Sequence, residues 1–117
     1  MRGSLLVFAL LLLAGCVTPP DQMWVEQRKG IQAIPNPDTR LNALANVAES
    51  AAYAGDASAV KMLLKDLEND PRHDQVADRC ATQIANKTPA DGVRIAKLIK
   101  DPGKQKEALT RLESKQE

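Results

Sequence analysis

The chain predicts an all-α fold, and three observations carry that prediction. Apolar residues recur three and four positions apart in successive segments, the period of helices that bury one face. A capping residue followed by proline marks helix starts at Asp70-Pro71, Thr88-Pro89 and Asp101-Pro102. Pro37, Pro71 and Pro102 are spaced 34 and 31 residues apart, with matching residues at fixed offsets from each. A period of this size with two helices per unit predicts a stack of antiparallel helical hairpins, about five helices in all, over residues 21–113.

Taken in order, residues 21–34 predict a helix capped by Asp21, with Trp24, Ile31 and Ile34 on one face. Gly30 weakens it by about 1 kcal/mol relative to alanine. Trp24 is expected to staple this helix to the domain, or else to meet a membrane interface or partner. Pro35-Asn36-Pro37 then breaks the chain. Residues 38–54 predict a second helix with Leu41, Leu44, Ala45, Ala48, Ala51 and Ala52 inward, and its alanines let a neighbour approach closely. Gly55 is a helix stop and Asp56 the next N-cap, so residues 56–69 fold back as a hairpin with Val60, Leu63, Leu64 and Leu67 buried. From Asp70-Pro71 a further helix buries Val76, Ala77, Cys80, Ala81 and Ile84. From Thr88-Pro89 another buries Val93, Ala96 and Ile99. The last starts at Asp101-Pro102, carries Ala108, Leu109 and Leu112, and frays into a polar tail at residues 114–117.

Ala43, Ala77 and Ala108 each follow their proline by six residues. Leu64 and Ile95 precede the next proline by seven, and Leu67 and Leu98 by four. This pattern resembles the tetratricopeptide-like superhelical class, from about residue 22 to 112. The resemblance implies a short right-handed stack, an α-solenoid. That family expects a Trp and a Tyr in the first helix of each repeat, and no repeat here has both, so no peptide-binding residue is carried over from it. An ordinary five-helix bundle is the other arrangement that the same apolar pattern allows.

The N-terminus predicts a location. Arg2 precedes an apolar run from Leu5 to Leu13, and small residues follow at Ala14-Gly15. The run is too short for a membrane-spanning helix, which needs about 20 residues. Leu13-Ala14-Gly15-Cys16 resembles the lipobox of bacterial lipoproteins. The resemblance implies a signal peptide at residues 1–15, cleavage between Gly15 and Cys16, and lipid on Cys16, with residues 16–20 as a short tether stiffened by Pro19-Pro20. Two or more acyl chains, at about 0.8 kcal/mol per buried CH₂, hold a protein on a membrane without spanning it. Val17 stands where such proteins carry an Asp when they are retained in the inner membrane. The expected location is therefore the bacterial envelope, at the outer membrane facing the periplasm.

Removal of the first 15 of 117 residues leaves 102, one small domain with fifteen basic and fifteen acidic side chains. Nucleic acid is not an expected partner, because the basic excess that it requires is missing. Residues 92–117 carry seven bases against four acids. With Cys16 lipidated, Cys80 has no partner in the chain and is expected in the core, although an unpaired thiol in an exported protein can also react or bridge two chains.

Catalytic chemistry has no foothold in the sequence. His73 is the only histidine, is expected at the surface, and with one thiol cannot assemble a standard zinc site. No serine lies in a nucleophile elbow, and no glycine-rich phosphate loop occurs. Asp74 and Asp78 share a helix face and read as solvated surface. No catalytic residue, metal or cofactor is predicted. The expected function is a lipid-anchored adaptor or scaffold that holds a protein partner or a second copy, with Arg40, Asn46, Glu49, Arg72, Asp78 and Arg79 as candidate contact residues. A pilot lipoprotein for an outer-membrane complex is the alternative, and an enzyme acting on cell wall or lipid is a distant third.

Overall fold

A computed structural model describes residues 20–116 of the chain. The signal, cleavage and lipidation expectations at Gly15 and Cys16, and most of the tether, lie outside the described residues. Six helices and no strand occur among the described residues: α1 (Pro20–Gln32), α2 (Pro37–Tyr53), α3 (Ala57–Asp66), α4 (His73–Ala85), α5 (Pro89–Ala96) and α6 (Pro102–Gln116). The fold is all-α. Every helix packs on the next two along the chain and on none further along.

Six helices form among the described residues where about five were expected, and α1 forms, as its sequence predicts, despite Gly30. Burying Trp24 and Ile31, at 5% and 8% exposure, contributes about 1.5–3 kcal/mol for each side chain, more than the glycine costs. Trp24 joins the common core as the expected staple, although its indole Nε1 has no hydrogen-bond partner among the described residues. Arg28 adds a second fastening, donating from Nε and Nη2 to the Asp66 carboxylate of α3 at 2.5 and 2.8 Å.

The helix ends follow from local chemistry. Asn36 caps α2 by accepting the Thr39 N–H at 3.1 Å, a role the sequence reading left unassigned. At the other end Gly55 takes φ +84°, the left-handed conformation open to glycine. Gly55 N–H then reaches the Ala52 carbonyl and Asp56 N–H the Ala51 carbonyl, which closes the helix. Asp56 caps α3 through Ala59 N–H at 3.0 Å. Asp101 accepts the Lys104 N–H at 3.0 Å at the start of α6, whereas Thr88 precedes α5 with no side-chain cap bond.

The start of α4 departs from expectation. Asp70 accepts the Arg72 N–H at 2.7 Å, as a cap would, but this closes a tight turn, and regular helix begins at His73 rather than Pro71. The buried stripe of α4 is His73, Val76, Ala77, Cys80, Ala81 and Ile84, spaced three and four apart. His73 therefore heads the inward face. It is 6% exposed, which corrects the expectation of a surface histidine.

The core runs from Trp24 through Leu44, Leu63, Leu64, Leu67 and Ile84 to Leu112. Gly92 on α5 is buried in a close approach to α4, where a Cβ would lie 2.5 Å from the Ala85 Cβ and 2.8 Å from the Ala81 carbonyl oxygen. The α6 helix continues to Gln116 rather than fraying at Glu113.

Candidate functional site

The stripe that buries α2 leaves an opposite stripe facing outward: Asn46, Glu49, Ser50 and Tyr53, spaced three and four apart. On α4, Asp78, Arg79, Thr82 and Gln83 occupy the equivalent side. Arg111 of α6 reaches the same place, and together these residues line an open groove of about 820 Å³. The groove is built from α2, α4 and α6, the helices that follow Pro37, Pro71 and Pro102 in the sequence.

Two ion pairs cross its floor. Arg79 Nη1 donates to Glu49 Oε1 at 3.3 Å, tying α4 to α2. Arg111 Nη2 donates to Asp78 and, at 3.1 Å, to Thr82 Oγ1, tying α6 to α4. The Thr82 and Ser50 hydroxyls donate back to the carbonyls of Asp78 and Asn46, each at 3.0 Å, so both are held in place. With Arg79 and Glu49 at 60% and 33% exposure, such a pair contributes only about 0–1 kcal/mol. Its effect is to place charge at fixed points along the groove. Tyr53 stands at one end with 72% of its surface exposed, a large aromatic left in water.

Of the six candidate contact residues, the structure brings together Asn46, Glu49, Asp78 and Arg79. It places the other two elsewhere. Arg40 donates to the Ile34 carbonyl at 3.0 Å, and Arg72 is bound by Asp70, at 3.0 Å, and by Asn42. The sequence reading missed Tyr53, Ser50, Thr82, Gln83 and Arg111. Tyr53 and Ser50 were within reach, lying seven and four residues after Asn46 on the same face. Arg111 was not, because it meets its partners across 29 and 33 residues of chain.

Outside the groove, Asp74 is a hub. Its carboxylate accepts the N–H groups of Lys100 and Asp101 at 2.9 and 3.1 Å and lies 2.9 Å from His73 Nδ1. Burial pushes its pKa up, but the Lys100 N–H, the His73 ring and the Asp101 N–H hold it below the ordinary aspartate value. It thus joins the start of α4 to the segment before α6 and is no solvated surface group. Cys80 is fully buried, and burial, with the Glu49 charge adding, pushes its thiol up to about 12. That keeps it a thiol at neutral pH, inert as a nucleophile. No cluster of three or more His, Cys, Asp or Glu side chains that could hold a metal occurs among the described residues. No helix among them is long and apolar enough to cross a membrane. No family model, curated protein or solved structure matches the chain.

Proposed function

We propose that this chain is a lipid-anchored protein of the bacterial envelope that acts as an adaptor or scaffold, binding a protein partner in the groove of α2, α4 and α6 without catalysis. The observation that carries the reading is the groove itself. Four residues picked from sequence as exposed positions on first helices converge there with Arg111 and the exposed Tyr53. Interfaces favour tyrosine and arginine in their centres, and this groove presents both.

The reading includes a finer fold, a short right-handed stack of hairpins of the tetratricopeptide-like kind. The repeat of prolines and alanines supports it, as does the pattern in which each helix packs only on the next two. Lipid on Cys16 would tether the domain at the outer membrane, facing the periplasm.

A photo-crosslinking residue at Tyr53 in living cells tests the reading. The expected result is one stoichiometric crosslinked protein, lost when Arg79 and Arg111 are both changed to Glu, while Cys16→Ser releases the chain from the membrane fraction. The reading fails if the crosslinked products are unchanged by the charge reversals. If Cys16→Ser also mislocalises the captured protein, the role is that of a pilot rather than a static adaptor.

A further inference from the structure

A second cavity, of about 310 Å³, shares no residue with the groove. It lies between α3, the first turn of α4 and the segment that leads into α6. Its rim carries Lys61, Lys65 and Lys100, all exposed, and its wall carries Leu64, Leu98 and His73. Lys61 and Lys65 are four apart on α3, so their charges sit side by side and repel. Among the described residues none of the three lysines has a carboxylate at ion-pair distance. Lys100 is nevertheless held, its ammonium donating to the backbone carbonyl of Glu68. The Glu68 side chain, exposed, is the one carboxylate among the lining residues.

His73 makes the cavity more than a patch of lysines. The ring is more than nine-tenths buried and its orientation is fixed from behind. An ionised carboxylate only accepts, so Nδ1 carries the proton that points to Asp74, 2.9 Å away. That leaves Nε2, which has no partner among the described residues, on a ring that lines the cavity. An unpartnered ring nitrogen on a side chain more than nine-tenths buried, in a cavity that three lysines without ion-pair partners also line, fits one kind of ligand.

We propose that this cavity binds a phosphate group, with Lys61, Lys65 and Lys100 on its oxygens and His73 Nε2 as the fourth contact. Phosphate suits both states of the ring. A singly protonated phosphate donates its O–H to the Nε2 lone pair, and a dianion accepts N–H from the imidazolium. Compact ammonium groups act as point charges on such an anion. Leu64 and Leu98 give the wall an apolar part beside which an ester-linked group can lie. An anionic phospholipid headgroup and a free phosphate ester share this chemistry. The inference is independent of the adaptor reading, since it uses other residues.

Because His73 is the only histidine of the chain, its imidazole nitrogen resonances report the site directly. Inorganic phosphate is titrated into the full-length chain at pH 7 and constant ionic strength. The expected result is a saturable shift of Nε2, with half-saturation about tenfold weaker in the Lys61→Ala/Lys65→Ala double variant, a loss of one decade in affinity. Lys104→Ala/Lys106→Ala, which removes two lysines outside the cavity, is expected to leave the curve unchanged. Circular dichroism reports folding, and Lys100→Ala replaces the first pair if that variant does not fold. An Nε2 signal that stays still, or that moves equally in both double variants, overturns the proposal. Vesicles of phosphatidylcholine with and without phosphatidylglycerol then separate the sources. Competition with inorganic phosphate by the phosphatidylglycerol vesicles alone assigns a lipid headgroup, and no competition by either assigns a soluble phosphate ester.

Discussion

Single residues hold the joints of this molecule, and Asp74 is the clearest case. Three groups converge on one carboxylate that is 18% exposed. Its folded pKa lies below the ordinary aspartate value, so the stability it contributes is complete above about pH 4 and is lost as pH falls through the depressed value. Asp70 acts in the same direction, because the Arg72 guanidinium lowers its pKa. Asp74→Asn keeps the shape but gives up the charge and one acceptor oxygen. It is expected to cost about 1–2 kcal/mol at pH 7 and to flatten the acid limb of the stability curve, as read from urea midpoints at successive pH values. An unchanged acid limb would show that the hub does not govern acid stability. The sequence already held half of this. Asp74 and Asp78 were visible as a pair on one helix face, and His73 stood three residues before Val76 on the buried stripe. Pro71 misled the reading, because a cap-proline pair set the helix start two residues too early, and the buried stripe begins at His73 rather than at Val76. The Asp70 side chain instead closes a turn ahead of the helix.

At the scale of helices, the interior patterns were legible and the contacts between helices were not. The apolar period, Gly55, Asp56 and the cap-proline pairs are local signals, and each acts within a few residues of itself. Asn36 carries the same local signal, set between two prolines. Gly92 could not be recognised from sequence, because its role depends on Ala81 and Ala85 of the preceding helix. It and Gly30 make a matched test of that difference. Both sit inside helices, where alanine in place of glycine gains about 1 kcal/mol from propensity alone. At Gly30 nothing lies within 4 Å of an added Cβ, so Gly30→Ala is expected to stabilise by about 0.5–1 kcal/mol. At Gly92 the added methyl meets the Ala81 carbonyl and the Ala85 backbone, with its Cα at 2.9 Å. Overpacking of about 1–3 kcal/mol then exceeds the gain, and Gly92→Ala is expected to lower Tm by roughly 5–10 °C. Thermal melts of the two variants decide the matter. Equal responses would mean that α4 and α5 do not approach as closely as described.

For the molecule as a whole, the order of packing sets how stability is distributed. The α3 and α4 helices are packed upon from both directions along the chain, whereas α1 and α6 are packed from one direction only. In such an arrangement local opening is governed by neighbours, and the ends open at lower free energy than the middle. Amide hydrogen exchange is therefore expected to be slowest at buried positions of α3 and α4, such as Leu63, Leu64, Cys80 and Ala81, and fastest in α1 and α6. A probe at one end sharpens the expectation. Leu112 of α6 is 1% exposed, and Leu112→Ala removes a buried side chain at a cost of about 2–5 kcal/mol. In a chain of nearest-neighbour contacts that loss speeds exchange in α6 and next in α5 and α4, and leaves α1 almost untouched. A single cooperative core would instead transmit it everywhere, lowering protection by the same amount from Trp24 to Leu112. The same measurement bears on the groove, whose walls are α2, α4 and α6. If α6 opens alone, Arg111 leaves Asp78 and Thr82 while Glu49 and Arg79 stay paired, so one end of the groove can open while the other keeps its shape.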